Sequence, residues 1–246
     1  MERRKQIEIE HYNQKAKEFR GGQTSALLAS FKFAYKLLKE NCQNKLVLDY
    51  GCGNGAHTVS IAKMGAKKVV GIDLSEKSLD IAKSRAKKEG VGDKVEFLKM
   101  DCEKMEFSDD FFDVIFDGGT FSSLDLKLAL PELARVLKPQ GVLIGVETFG
   151  HNPIANLKRK LNKLTGRRTD WAARHIFLKK DFKEVENYFN EIEVYFFHII
   201  SFLAFPFLSL PGGKIFLEFL ELVDRILLSV PFLRKYAFKI VFIFSK

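Results

Sequence analysis

Cysteine is scarce in this chain of 246 residues: Cys42, Cys52 and Cys102 stand far apart, and none belongs to a metal-type pair. A dispersed, odd-numbered set argues against a disulfide framework and against a zinc site, and it fits a reducing, cytosolic setting. A signal peptide is also missing, because the first twenty residues, MERRKQIEIEHYNQKAKEFR, are too polar for one. No internal repeat or low-complexity tract appears. The stretch Val194–Gly213 carries no Asp, Glu, Lys or Arg, but His198, Pro206, Pro211 and Gly212–Gly213 break it. A membrane span needs about 20 mainly apolar residues, so this one reads as a buried strand running into an apolar loop. What is present is an ordinary globular composition, 46% apolar and 29% charged. The net charge of +9 pulls toward acidic partners, yet the basic residues are interspersed with acids. Charge by itself does not choose between nucleic acid, anionic membrane and neither.

Periodicity organises the rest. Residues 25–40 put Leu27, Leu28, Phe31, Ala34, Tyr35 and Leu38 on one helical face. From Lys45 short apolar runs alternate with amphipathic stretches. Leu46–Tyr50 reads as a buried strand ending in the cluster Gly51, Gly53, Gly55, followed by a helix over 56–64 and a strand over Lys68–Asp73. Ser75 starts a helix that Gly90 stops. Strands follow at Val95–Met100, Phe112–Phe116 and Val142–Glu147, with a helix over 125–137. Such repetition means parallel strands with right-handed crossovers, hence an α/β, Rossmann-like doubly wound sheet. Ligands of these sheets bind beyond the carboxyl ends of the strands, which puts Gly51–Gly55, Asp73, Asp101 and Asp117 on one rim. Farther on, 153–183 is strongly basic and begins with an amphipathic helix over 153–164. A strand is expected over 192–200, a helix apolar around most of its circumference over 214–229, and a last strand at Phe238–Phe244.

A glycine turn between strand and helix brings a ligand against backbone N–H groups at the positive helix end. Gly51-Cys52-Gly53-Asn54-Gly55-Ala56 satisfies the dinucleotide fingerprint, and Asp73 lies where a ribose-binding acid is expected. Spacing therefore leaves a nicotinamide or flavin enzyme open. Charge separates the alternatives. A carboxylate at Asp49, beside the turn, would repel a pyrophosphate at a cost of ~1 to several kcal/mol. The ammonium and sulfonium of S-adenosylmethionine would instead be attracted. Asp101 suits an exocyclic adenine amine, and Cys102 offers a neighbouring backbone N–H.

Asp49-Tyr50-Gly51-Cys52-Gly53-Asn54-Gly55, Gly71-Ile72-Asp73-Leu74-Ser75, Met100-Asp101-Cys102, Phe112-Asp113-Val114-Ile115-Phe116-Asp117 and Leu137-Lys138-Pro139-Gln140-Gly141-Val142-Leu143 come in a fixed order. In that order and spacing they resemble the successive motifs of class I S-adenosylmethionine-dependent methyltransferases. The resemblance covers roughly residues 10 to 150. It implies a seven-stranded, mostly parallel sheet with an antiparallel last strand, and S-adenosyl-L-methionine as cofactor. Carried over residue by residue, it implies that Gly51, Cys52, Gly53 and Gly55 lie along the methionine moiety and that Asp73 and Leu74 lie at the ribose. Asp101 and Cys102 would contact adenine, Asp117 and Gly118 would lie beside the sulfonium, and Tyr12 would close over the cofactor. Asp117-Gly118-Gly119-Thr120 replaces the bulkier acceptor motif of many members.

On this reading 1–246 is one methyltransferase domain. Residues 1–40 form a helical cap, 41–150 the cofactor core, 151–235 an acceptor-side insertion with an apolar tail, and 236–246 the last strand. Methyl transfer needs a base only when the acceptor sheds a proton, and the candidates at the correct rim are His151 and Glu147. His198 reads as structural, and no metal is expected. The basic insertion beside a phenylalanine-rich tail suggests a small-molecule acceptor with an apolar body, of lipid, quinone or glycan-lipid type, and contact with a membrane surface. An RNA methyltransferase and a nicotinamide-dependent oxidoreductase are the alternatives. Against the first, no RNA-binding module, amine-activating Asn/Asp-Pro-Pro-aromatic motif or catalytic cysteine pair is present.

Overall fold

The computed structural model describes residues 2–16, 27–164 and 168–246, with the side chains of Lys158 and of 161–164 outside that description. Ser25 and Ala26, in the expected helix over 25–40, and Arg167, in the basic stretch, also fall outside it. Seven strands form one sheet in the order β3-β2-β1-β4-β5-β7-β6. They are β1 (Leu46–Tyr50), β2 (Lys68–Asp73), β3 (Val95–Lys99), β4 (Phe112–Asp117), β5 (Leu137–Thr148), β6 (Glu191–Phe197) and β7 (Lys239–Ser245). β1 pairs in parallel with β2 and β4, β2 with β3, and β4 with β5. β7 runs antiparallel between β5 and β6. The seven-stranded sheet with its reversed last strand is therefore as the sequence leads one to expect.

Alternation along the strands builds two cores. Val47, Val69, Val114, Phe116, Ile144 and Val146 face α2 (Ala29–Asn41) and α3 (Ala56–Lys63). Leu48, Tyr50, Val70, Ile72 and Ile115 face α5 (Leu126–Val136) and a wall of phenylalanines in which Phe242 stacks on Phe244 with centroids 4.1 Å apart. Gly145 is required there, since a Cβ would lie 2.0 Å from the Phe242 ring. α4 (Glu76–Lys88) crosses from β2 to β3, and α1 (Arg3–Lys15) lies over the carboxyl rim. There Ser75 Oγ donates to Asn13 Oδ1 at 2.7 Å. Ser75 also caps α4, accepting from Ser78 N–H at 3.2 Å.

Departures from the sequence reading cluster after β4. β5 starts at Leu137, not Val142, because Leu137 already pairs with Phe112 before the chain swings through Gln140 at φ +63 and rejoins the ladder. The strand expected over 192–200 is β6, a partly exposed edge that ends at Phe197, where His198 turns to φ +65. The apolar loop beyond it contains a 3-10 helix over Ser201–Phe207. It packs on α9 (Gly213–Ser229), and a second 3-10 segment, Pro231–Tyr236, leads into β7. The insertion folds as α6 (Pro153–Leu164), α7 (Asp170–Arg174) and α8 (Phe182–Val185). Arg159 of α6 is buried and donates to Phe149 O at 2.8 Å.

Buried Asn152 joins these late pieces. Its Nδ2 donates to Ile199 O at 3.0 Å and Tyr236 O at 2.7 Å, and its Oδ1 accepts from Ala155 N–H at 3.0 Å to cap α6. Asn152→Ala strands two buried carbonyls and a helix end. Urea unfolding is expected to show a loss of about 2–4 kcal/mol.

Candidate functional site

The chain leaves β1 through Gly51, Gly53 and Gly55, all with φ between +51 and +73. Side chains avoid that conformation, and two of the three positions are also crowded. A Cβ on Gly51 would lie 2.4 Å from Thr120 Oγ1, and one on Gly55 would lie 2.7 Å from Ala82 Cβ. Gly53 alone opens onto free space. Asp73, at the end of β2, holds this loop: Oδ2 accepts from Gly53 N–H at 2.9 Å and Oδ1 from Ser75 N–H at 2.7 Å. Burial pushes the Asp73 pKa up, and the amide bonds work against that rise. Leu74 N–H adds to these bonds, and a carboxylate with about four acceptor positions still has capacity for a ligand hydroxyl.

Two cavities meet beside the loop. One, of about 530 Å³, is bordered by Lys5, Glu8, Leu74, Asp101, Cys102 and Leu124. The other, of about 780 Å³, is bordered by Cys52, Gly53, Ala56, His57 and Gly118. Tyr12, Gly51, Asp73, Thr120 and Ser123 border both. Tyr12 lies across the boundary, its phenol sharing a 3.0 Å hydrogen bond with the Ser123 hydroxyl. Tyr12, Gly51, Cys52, Gly53, Asp73, Leu74, Asp101, Cys102 and Gly118 are thus brought together, as the sequence places them. Gly55 lies one layer back, against α4.

The walls of the smaller cavity are acidic and the cations beside them are committed, whereas the larger cavity is bordered by Asp73 and Lys15. Arg4 grips Glu103 through both guanidinium nitrogens, at 2.7 and 2.5 Å. Lys5 reaches Asp101 at 2.6 Å and Glu103 at 2.8 Å. Glu8 accepts from the Thr169 hydroxyl through Oε1, while its Oε2 is buried without a partner among the described residues. Asp73 and Glu8 stay uncompensated by any described ion pair. The smaller cavity therefore favours a ligand carrying positive charge over an anionic one.

Asp49 requires a correction. Strand alternation puts it on the face of Val47, and its Oδ2 accepts from Thr58 Oγ1 of α3 at 2.5 Å. It borders neither cavity, and burial pushes its pKa up to about 7. The acidity of the site comes instead from Glu8, Asp73, Asp101 and Glu103. Asp117 is likewise turned inward, onto the α5 face. Its Oδ1 accepts from Gly119 N–H at 3.3 Å and Thr120 N–H at 2.9 Å. Glu147 accepts from Phe121 N–H at 2.7 Å and Thr148 N–H at 2.9 Å. Burial, then the nearby Glu147 charge, pushes the Asp117 carboxyl well above the usual carboxylate range. The two acids anchor the turn 118–121, and only that turn reaches the cavity. His151 is also outside both cavities. It accepts from Lys179 N–H at 3.1 Å, and burial lowers its pKa.

Sequence reasoning gave little weight to His57 and none to Glu8. The His57 ring stacks on Phe31 with centroids 5.4 Å apart, and its Nδ1 shares a 2.7 Å hydrogen bond with the Tyr35 hydroxyl. It borders the larger cavity beside Gly118, and burial lowers its pKa to about 4, so the ring is neutral at pH 7. The available signal was its place on the first turn of the helix after the glycine loop.

Comparison with known proteins adds an independent line. Residues 41–190 match a family model described as a methyltransferase domain. A sterol 24-C-methyltransferase of Gibberella zeae is 37% identical over 97 residues, 39% of this chain and 26% of its own. A demethylmenaquinone methyltransferase of Bacteroides fragilis is 31% identical over 103 residues, 41% of this chain and 42% of its own. The chain thus spans less than half the length of these curated relatives. A solved S-adenosylmethionine-dependent methyltransferase from Aquifex aeolicus is 27% identical, covers 63% of this chain and 87% of its own, and superposes with a TM-score of 0.50.

The position of Asp49 has a pH consequence. An unfolded aspartate loses its proton near pH 4, whereas the folded protein keeps this one to about pH 7. Its contribution to stability is therefore complete below about pH 4 and is lost as pH rises to about 7. Asp49→Asn keeps an acceptor for Thr58 and removes the titration. Urea unfolding should show the variant gaining on the wild type between about pH 4 and 8, by about 2–4 kcal/mol. A gain independent of pH would mean the carboxyl ionises normally in the fold.

Proposed function

The chain belongs to the methyltransferase domain family of class I S-adenosylmethionine-dependent enzymes, and from that premise we propose that it methylates a small molecule with an apolar body. The observation that carries the reading is the junction of two cavities, the smaller one acidic, at Asp73, beside a loop opened by Gly53. S-adenosylmethionine supplies an electrophilic methyl on a sulfonium and leaves as a neutral thioether. The residues present fit it: the remaining acceptor capacity of Asp73 suits a ribose hydroxyl, Asp101 and the Cys102 backbone flank the smaller cavity, and the Gly51–Gly53 backbone lines the larger one.

The protein's task is then orientation. Holding an acceptor in line with the methyl is worth up to ~7–11 kcal/mol. Tyr12 covers the boundary between the cavities, and the turn 118–120, fastened by Asp117 and Glu147, forms the side nearest His57. His57 offers a neutral ring nitrogen to an acceptor hydroxyl, held by Tyr35 and by stacking on Phe31. Glu147 and His151 are assigned supporting roles, since neither borders a cavity. Leu124 completes the wall of the smaller cavity, and nearby the Arg168 guanidinium donates to Ser122 Oγ at 3.2 Å. Trp171 Nε1 donates to Leu124 O at 3.3 Å, tying the insertion to the cavity wall. The sterol and quinone substrates in the names of two relatives support an apolar acceptor body.

Calorimetric titration tests the cofactor. S-adenosylhomocysteine should bind in the micromolar range and NAD should not. Asp73→Ala should weaken the former about 10- to 100-fold, the worth of hydrogen bonds to a buried carboxylate. Binding of NAD in preference would overturn the reading.

A further inference from the structure

α9 presents an apolar stripe to solvent. Ile215, Phe219, Leu222 and Ile226, spaced four, three and four residues apart, are 73%, 60%, 50% and 67% exposed. Its inward face carries Leu217 and, beside it, the buried acid Asp224. Asp224 accepts from Ile200 N–H at 2.9 Å and Ser201 N–H at 3.1 Å, and Glu221 accepts from Ala29 N–H at 2.9 Å. Two of the three acids of the helix are therefore spent inward, Glu218 staying exposed, while a row of large apolar groups faces out, the reverse of an ordinary surface helix. Leu210 before the helix and Phe232 after it extend the exposed set. Asn152, which caps α6, bonds Tyr236 O at the end of the Pro231–Tyr236 segment, and α6 carries exposed Ile154 and Leu157 of its own.

The charges left at this face are mostly basic, four bases to one acid. Between residues 201 and 237 the bases are Lys214, Arg225, Arg234 and Lys235, and the only acid besides Asp224 and Glu221 is Glu218. Lys235 lies over the rings of Phe232 at 3.9 Å and Tyr236 at 4.9 Å, an apolar tip with a cation beside it. Among the described residues no helix is long and apolar enough to cross a membrane. We propose that this face, centred on α9, lies on the surface of an anionic lipid bilayer. Its aromatic and aliphatic side chains would enter the headgroup boundary, and its bases would meet lipid phosphates. Exposed apolar area gives the affinity, and the excess of bases over the single exposed acid selects anionic lipid over a neutral surface or a second copy of the same positive face. The proposal does not depend on the methyltransferase reading, because it is read by binding without turnover.

The test is co-sedimentation with phosphatidylcholine vesicles, plain or with about one-third phosphatidylglycerol, at low and high salt. The wild type should bind the anionic vesicles and release as salt rises. Phe219→Glu/Ile226→Glu should lower the partition coefficient at least about tenfold, with S-adenosylhomocysteine affinity and thermal unfolding unchanged. Arg225→Gln/Lys235→Gln should lose roughly tenfold on anionic vesicles only. No sedimentation at low salt, equal binding to neutral vesicles, or a double-Glu variant that binds like wild type would each overturn the proposal. So would light scattering that finds a wild-type dimer, converted to monomer by Phe219→Glu/Ile226→Glu, with no lipid binding. The face would then belong to a second copy.

Discussion

One carboxylate organises the rim. Asp73 receives Gly53 N–H from the loop after β1 and Ser75 N–H from the cap of α4, so it fastens the end of one strand to the start of the helix after the next. The loop needs this tether. Three glycines at positive φ lose more conformational entropy on folding than other residues would, and hydrogen bonding only among themselves would leave the turn loose. With Asp73 in place the amides of the turn point in a fixed direction, Gly53 faces open space, and Ser75 is positioned to bond Asn13 of α1. The covering helix, the glycine loop and the floor of both cavities therefore meet at one side chain.

The other acids divide into those that touch the cavity and those that hold its walls. Glu103 fixes α1 by drawing Arg4 and Lys5 onto the rim, and its N–H partner Asp125 begins α5. Asp117 and Glu147 lie one layer beneath and bond the amides of 119–121. Two carboxyls share this buried site with their affinities for protons raised, Asp117 the more strongly, while four backbone amides and the nearby Lys239 charge offset part of the cost. The turn they hold is the Asp117-Gly118-Gly119-Thr120 sequence that sets this chain apart. Thr120 closes it, donating to Tyr50 O at 3.0 Å and filling the space a side chain at residue 51 would need. Gly51 and Thr120 thus depend on each other, and a bulkier acceptor motif could not be exchanged at one position alone.

The sheet was legible because its signals are local: alternating apolar runs, a glycine cluster after one strand, and a cap residue before a helix. Most of the rim followed from strand ends for the same reason. Asp49 shows the limit. Its distance from the glycines suggested contact with a ligand, but its alternation with Val47 already pointed it at α3, and the packing obeyed alternation. Lys5, Glu8 and His57 could not be placed from sequence, because their roles arise from partners far along the chain. Lys5 meets Asp101, Glu8 meets Thr169, and His57 is fixed by Tyr35 and Phe31. In sequence α6 reads only as a basic amphipathic helix, which does not say which of its bases is buried. The structure buries Arg159, where desolvation lowers its pKa to about 10 and its guanidinium lies over the Phe238 ring.

The tail carries the same lesson to a surface. A helix such as α9 has a high apolar content whether it is buried or interfacial, so composition could not separate the two. What separates them is where its few charges go. In a helix buried on all sides, Asp224 and Glu221 would be burdens without cause; here they act as anchors, binding N–H groups at the start of the Ser201–Phe207 segment and of α2. Those bonds fix the rotation of the helix about its axis. Rotating it to hide Ile215 and Phe219 would pull two carboxylates from their donors, at about 1–3 kcal/mol for each buried group left unpaired. The outward apolar stripe is therefore held in place by the polar inner face, and its exposure is a property of the fold and not of loose packing.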